Sequence, residues 1–273
     1  MSKKTALYMK TKNIIESNKT NKIKLNKPYI KDKFQPFWLN VFDFAFSSML
    51  KKAFYSIRVK NREYFELRDK TKGCILFATH CCWWDGLIAY ILSRKVLNTN
   101  MRMMIQELYR FPLLSRIGGF SVDKDSPQAA VKAINYCAEF LNYPEGTLWI
   151  YPQGSVMPPD HRPVKFASGI AYLCSKLDGI NLIPIAHRYS FLREDRPEIL
   201  IEIGKPIILD NRNVDRKELT AFLEKEFMDF LDKQKNDISE GNLVGYEFVF
   251  KSRLCVAKLI EKYFTWFVRS FTT

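Results

Sequence analysis

Apolar and polar positions alternate along the middle of the chain in two periods. "GCILFATH" (73–80) is a short β-rich run, and "WDGLIAYILSRKV" (84–96) has helical character. "MRMMIQ" (101–106) and "GGFSV" (118–122) are expected as strands. From Pro127, with Ser126 as cap, Ala130, Ile134, Cys137, Ala138 and Leu141 line one face at helical spacing. "TLWIY" (147–151) is an expected strand, "KFASGIAYLCSKL" (165–177) a helix, and "NLIPIAHRYSF" (181–191) and "ILIEIGKPIIL" (199–209) further strands. "DRKELTAFLEKEFMDFLDKQK" (215–235) is an amphipathic helix, its Asp215 and Glu218 placed as in a capping box. Strand and helix alternate throughout. The expected fold is α/β: a single layered domain with a mostly parallel sheet flanked by helices.

The flanks follow a different pattern. From Phe34 to Leu50 the only charge is Asp43, and six of the seventeen residues are aromatic. The run falls short of the about 20 apolar residues that span a bilayer. Aromatics followed by Lys51 and Lys52 suit a helix lying in the headgroup region, and equally a helix packed on the domain. "FVFKSRLCVAKLIEKYFTWFVRSFTT" repeats the mixture at the C-terminus. Four parts are therefore expected: a basic arm (1–33), an amphipathic membrane-surface helical segment (34–60), the α/β domain (61–235) and a C-terminal amphipathic helical segment (236–273).

Charge sharpens this division. Of the net +14, residues 1–60 carry +11. The surplus belongs to an arm, which binds a surface without defining a fold. Two aromatic-cationic segments favour an anionic membrane surface over nucleic acid, which is not an expected partner. "MSKK" leads into lysine-rich polar sequence without the apolar core of a secretory signal, and the six cysteines lie mostly in apolar runs. Reduced thiols and peripheral attachment to the cytoplasmic face of a membrane are expected.

"ATHCCWWDG" (78–86) carries the candidate chemistry. On a continuous helix His80 and Asp85 would point about 140° apart. With His80 just before the helix, its ring can fold back onto the Asp85 carboxylate. That contact fixes the tautomer and leaves the other nitrogen to accept a proton. A histidine capping a strand is the bland reading of the pair. No metal is expected, because Cys81 and Cys82 adjoin His80 and no CxxC or HxxxH pair supplies further ligands.

The order of blocks around that pair resembles the glycerolipid acyltransferase superfamily, of the lysophosphatidic acid acyltransferase and glycerol-3-phosphate O-acyltransferase type. Its His-x-x-x-x-Asp after a strand is matched by His80 and Asp85. "GGFSVDK" (118–124) resembles its Gly-x-x-Phe-(Ile/Val)-Asp-Arg block, and "YPQGSVM" (151–157) its Phe-Pro-Glu-Gly-Thr-Arg-Ser. "IPI" (183–185) stands for its Val-Pro-Val strand. "PEGT" (144–147) copies the third block more literally, yet it precedes a strand where the family block ends one. The resemblance spans roughly residues 70–210 and rests on four ordered blocks.

The resemblance implies a membrane-associated O-acyltransferase that moves a fatty acyl group from acyl-CoA or acyl carrier protein to a lipid hydroxyl. The thioester is a co-substrate, and no cofactor is implied. His80 is the implied general base and Asp85 its orienter, with backbone N–H groups near the helix start or the Gly154 turn as oxyanion donors. The implied acceptor-binding set is Gly119, Lys124, Gln153, Gly154, Ser155, Arg162 and Lys165. Relatives hold an acceptor phosphate with a glutamate and two arginines, where this chain has Gln153, Val156 and Lys124. Lysine offers only a point charge and valine nothing. Arg162 and Lys165 are the candidates to compensate. A glycolipid, a glycosylated terpenoid or another lipid alcohol therefore stands beside lysophosphatidate as acceptor, with Gln153 bonding a sugar hydroxyl.

The remaining residues take blander readings. Trp83 and Trp84 are expected in packing or at an interface, Tyr151 in strand-end packing and His187 as a satisfied core residue. Ser155 lacks the Gly-x-Ser-x-Gly elbow of a nucleophile. A serine or thiol hydrolase is poorly supported. A catalytically inactive membrane-binding relative is the alternative, against which the retained His80 and Asp85 speak.

Overall fold

A computed structural model describes residues 29–123, 126–210, 215–252 and, near the C-terminus, 260, 261, 263–265 and 267. Its strands are β1 (Ser56–Lys60), β2 (Cys74–Ala78), β3 (Arg102–Ile105), β4 (Gly119–Ser121), β5 (Thr147–Ile150), β6 (Ile180–Ser190), β7 (Glu198–Ile203), β8 (Ile207–Leu209) and β9 (Glu247–Lys251). The helices are α1 (Pro36–Ala53), α2 (Asp85–Lys95), α3 (Pro127–Leu141), α4 (Gly169–Cys174) and α5 (Arg216–Ser239). One mixed sheet runs β4-β3-β5-β2-β6-β7-β1-β9, with β8 on β6. From β4 to β6 every pairing is parallel, as is β1 with β7, while β7 and β8 meet β6 antiparallel.

β2 lies mid-sheet and is buried on both faces, so its sequence is an unbroken apolar run rather than an alternation. Cys74, Leu76 and Ala78 join the layer formed with α1 and α2. Ile75 and Phe77 join the opposite layer, formed with α3, α4 and α5. Side chains alternate in direction along a strand, so five residues serve two cores. Ser126 caps α3 by accepting from Ala129 N, and Asp215 caps α5 by accepting from Lys217 N and Glu218 N.

The expected elements recur, with five differences. The helix expected over 34–60 ends at Ala53, and "SIRVK" forms β1 between β7 and β9. Ile57 and Val59 point into the core, while Arg58 and Lys60 meet the buried Glu198 and Glu202. These two cations of the N-terminal surplus are therefore matched internally. "EFVFK" is β9, although it lies in the segment expected to be helical, and α5 runs to Ser239, past the expected boundary at 235. The helix expected over 165–177 is reduced to α4, because Glu224 takes the N–H of Phe166 and Pro152 the N–H of Ala167. The single strand expected over 199–209 breaks at Gly204–Pro206. There the partner edge of β6 passes from β7 to β8, and Gly204 lies against the ring of Pro184.

α1 packs by its inner face on α2. Tyr90 OH donates to Leu39 O, and Arg94 and Lys95 meet Asp43. Its outer face shows Phe37 and Phe44, which are 69% and 78% exposed. No described helix is long and apolar enough to cross a membrane.

Candidate active site

β2 ends at Ala78 and α2 begins at Asp85, and the six residues between them fold back on the Asp85 carboxylate. Oδ2 meets His80 Nδ1 at 2.7 Å and accepts from the N–H groups of Cys81 (2.6 Å) and Cys82 (2.9 Å). Oδ1 accepts from Tyr189 OH at 2.5 Å and lies 3.1 Å from His187 Nε2. The tight loop lets residues five apart meet, as the folded-back reading requires. Asp85 is 1% exposed, and such a charge survives burial only when fully paired. Burial pushes its carboxyl up, but hydrogen bonds from His187 and His80, the electrostatic effect of His187 and the Cys82 N–H outweigh it. The result lies well below the usual carboxylate range, so Asp85 is an anion. Burial, and next the Asp85 charge, drive the Tyr189 phenol far up, keeping it a donor.

His80 is held from the other side by the third block. Its N–H donates to Gln153 Oε1 at 3.0 Å and its carbonyl accepts from Met157 N at 2.8 Å. Its ring stacks on Tyr151 at 4.5 Å and 18°. With Nδ1 on Asp85, Nε2 is the ring nitrogen left for a substrate proton. His80 lines a cavity of about 1330 Å³ whose walls are mostly apolar, among them Phe42 and Phe46 of α1, Met103, Ile134 and Leu173. A histidine backed by a buried anion thus stands in the wall of a mostly apolar cavity. That arrangement can take a proton from a hydroxyl and hold the resulting charge.

The structure brings some of the expected residues together and not others. Gly154 and Ser155 line the cavity beside His80. Gly154 has φ +70°, a conformation that favours glycine, and its N–H donates to Tyr151 O, so the Gly154 amide is not a free oxyanion donor. The amide oxygen of Gln153 is on the His80 backbone, and the residue does not line the cavity. Gly119 is buried in β4 behind the wall. Lys124 lies outside the described residues. Arg162 does not fill the place left by Val156: its guanidinium is on Asp232 and on the carbonyls of Pro159 and His161. Lys165 is equally turned away, paired with Glu224 at 2.8 Å. Both cations find carboxylates on α5 that the local sequence pattern does not reveal.

The sequence identifies His187 as a satisfied core residue, but gives neither it nor Tyr189 a part in the site. They stand two apart on β6 and so share a face, and His187 is a satisfied core residue whose partner is Asp85. The spacing His-x-Tyr after the "IPI" strand was the available signal. Trp84 packs on Phe54, whereas Trp83 is 62% exposed and lines the cavity.

Residues 56–188 match the family described as Acyltransferase. Among solved structures, the chain is similar to the 1-acyl-sn-glycerophosphate (LPA) acyltransferase PlsC from Thermotoga maritima. The likeness has 15% identity and a TM-score of 0.52, covering 72% of this chain and 79% of that one. It shows the fold. No curated protein matches the chain. The family match covers the strands that carry the His80–Asp85 pair, within a fold shared with that structure, and residues 56–188 form an acyltransferase domain.

Proposed function

We propose that this protein transfers a fatty acyl group from an acyl-CoA or acyl carrier protein thioester to a hydroxyl of a membrane lipid. The observation that carries the reading is the 2.7 Å contact between His80 Nδ1 and Asp85 Oδ2 at the cavity wall. In this reading His80 Nε2 takes the proton as the acceptor oxygen attacks the acyl carbonyl, and Asp85 stabilises the imidazolium. The thiolate leaves and recovers the proton from His80. The Cys81 and Cys82 amides serve Asp85, so the first-turn amides of α2 at Gly86 and Leu87, both on the cavity, are the assigned oxyanion donors. Thiol release from acyl-CoA and from acyl carrier protein, each measured with a panel of lipid acceptors, tests the reading. No release with any pair would overturn it.

His187 and Tyr189 keep Asp85 in place in this scheme. Tyr189→Phe removes the 2.5 Å donor to Oδ1 and is expected to lower kcat by about tenfold with KM little changed, on the scale of one hydrogen bond to a charged group. Unchanged kcat would assign the phenol to packing alone.

The acceptor is proposed to be a neutral hydroxylated lipid, such as a glycosylated one. Val156 lines the cavity, and Arg162 and Lys165 are committed to α5. Among the described residues, Arg110 is the one lysine or arginine on the cavity, and Glu107 pairs with it at 2.7 Å. A phosphate dianion needs charge-assisted donors to repay its desolvation, whereas a sugar needs only neutral ones such as Ser155 and Gln106. In direct competition a glycolipid should outpace lysophosphatidate, and Arg162→Ala should leave that preference unchanged. A preference for lysophosphatidate lost in Arg162→Ala would show that Arg162 serves the acceptor.

Attachment is proposed to be peripheral, on an anionic cytoplasmic membrane face. Phe34 and Trp38 are packed on the domain, whereas Phe37 and Phe44 are exposed aromatics of α1, and Phe111 and Trp83 are exposed residues that line the cavity. Phe37→Ser with Phe44→Ser should weaken sedimentation with neutral vesicles. Deleting residues 1–28, which spares the contacts of Asp32 with Arg102 and Tyr136, should weaken binding only to anionic ones and reduce its salt sensitivity. Equal binding by all three proteins would remove both surfaces from the account.

A further inference from the structure

On the side of Asp85 away from His80, three chemically different donors converge. Cys81 Sγ lies 3.5 Å from His187 Nε2 and 3.6 Å from Asp85 Oδ1, and His187 Nε2 lies 3.1 Å from that oxygen. Ligands at ordinary zinc distances around a tetrahedral ion stand about 3.6 Å apart for sulfur with nitrogen or oxygen, and about 3.3 Å apart for nitrogen with oxygen. The trio therefore already has the dimensions of one face of a tetrahedral site. Cys82 Sγ, 3.4 Å from Asp85 Oδ1, stands within reach of the fourth position.

We propose that Cys81, Asp85 and His187 form a binding site for a thiophilic divalent cation of the zinc class, and that its occupation inhibits acyl transfer. Thiolate, imidazole and carboxylate are a donor set that zinc accepts and that magnesium or calcium does not prefer. His187 and Asp85 are buried, while Cys81 is partly exposed and gives the ion its entry. The Cys81 thiol gives its proton to solvent as the sulfur–metal bond forms, and no oxidation is involved.

Inhibition follows from the geometry of one carboxylate. Oδ2 keeps its contact with His80, but the ion on Oδ1 neutralises the charge that would stabilise a protonated His80. This second clause rests on the proposed role of His80 and Asp85, whereas the first rests on the donor atoms alone. The experiment separates them.

Full-length, metal-free protein is titrated with Co²⁺ and followed by absorption. The expected result is one equivalent bound, with a thiolate-to-cobalt charge-transfer band and the intense visible bands of tetrahedral cobalt, both bleached by Zn²⁺. Cys81→Ala should lose the charge-transfer band and weaken metal binding by at least about 10²-fold, while Cys82→Ser keeps the band. Zn²⁺ should also protect Cys81 of the wild-type protein from alkylation, a readout that does not depend on the folding of a variant. Zinc-dependent loss of acyl transfer by tenfold or more in wild type, relieved by a chelator, completes the claim (~1.4 kcal/mol per factor of ten). Absence of the thiolate band, its persistence in Cys81→Ala, or unprotected Cys81 would each overturn the site. A bound ion that left transfer unchanged would overturn the inhibition and, with it, the role assigned to Asp85.

Discussion

His80→Ala is expected to slow acyl transfer by about 10²–10⁴-fold, the usual worth of a general base, with the fold retained. The imidazole is partly exposed on a cavity wall, and the backbone at residue 80, not the ring, bonds Gln153 and Met157. Alanine keeps both backbone contacts and loses the proton acceptor, the stacking on Tyr151 and one of the partners of Asp85 Oδ2, which retains the Cys81 and Cys82 amides. Initial rates of thiol release, read beside thermal melting of the same preparations, check this. Near-normal transfer by a folded variant would remove the proposed base.

Asp85→Asn is expected to be as severe, about 10⁴-fold in kcat, and to weaken the fold as well. The carboxylate faces donors on both oxygens, so an amide nitrogen must meet either the Cys81 and Cys82 amides or Tyr189 and His187. A mismatched buried donor costs about 1–3 kcal/mol. The pH dependence has a definite sign. The folded carboxyl sits below the ordinary value of about 3.9, so its stabilisation is complete above roughly pH 5. It is lost as the pH falls toward the depressed value. Denaturant unfolding of wild type and Asp85→Asn should therefore show the widest gap near neutrality, closing under acid. A gap that grew on acidification would contradict the ionised, multiply bonded carboxylate.

Much of the candidate site was legible because it is local. His80 and Asp85 flank one loop after β2, and the block at Pro152 follows β5, two strands announced by their apolar runs. What stayed hidden depends on pairs far apart in the chain. His187 reaches Asp85 across 102 positions, and Arg162 reaches Asp232 across 70. β1 shows the same limit from the side of the fold. "SIRVK" after an aromatic helix reads as more of that helix until Glu198 and Glu202 supply partners for its cations. A cation written in sequence carries no sign of whether its partner is lipid, solvent or a buried carboxylate.

The split edge of β6 has a consequence for descent. A methyl group at residue 204 would sit 2.5 Å from Pro184 Cγ, so any larger residue there requires the proline ring to move or go. Pro184 in turn belongs to the "IPI" strand that helps to identify the fold. A lineage that replaced Gly204 first would pass through a damaged intermediate, whereas one that replaced Pro184 first would relieve the closest contact and leave only the 3.2 Å approach to the residue 184 carbonyl. The order of substitutions at these two sites is therefore constrained, although neither residue touches the chemistry.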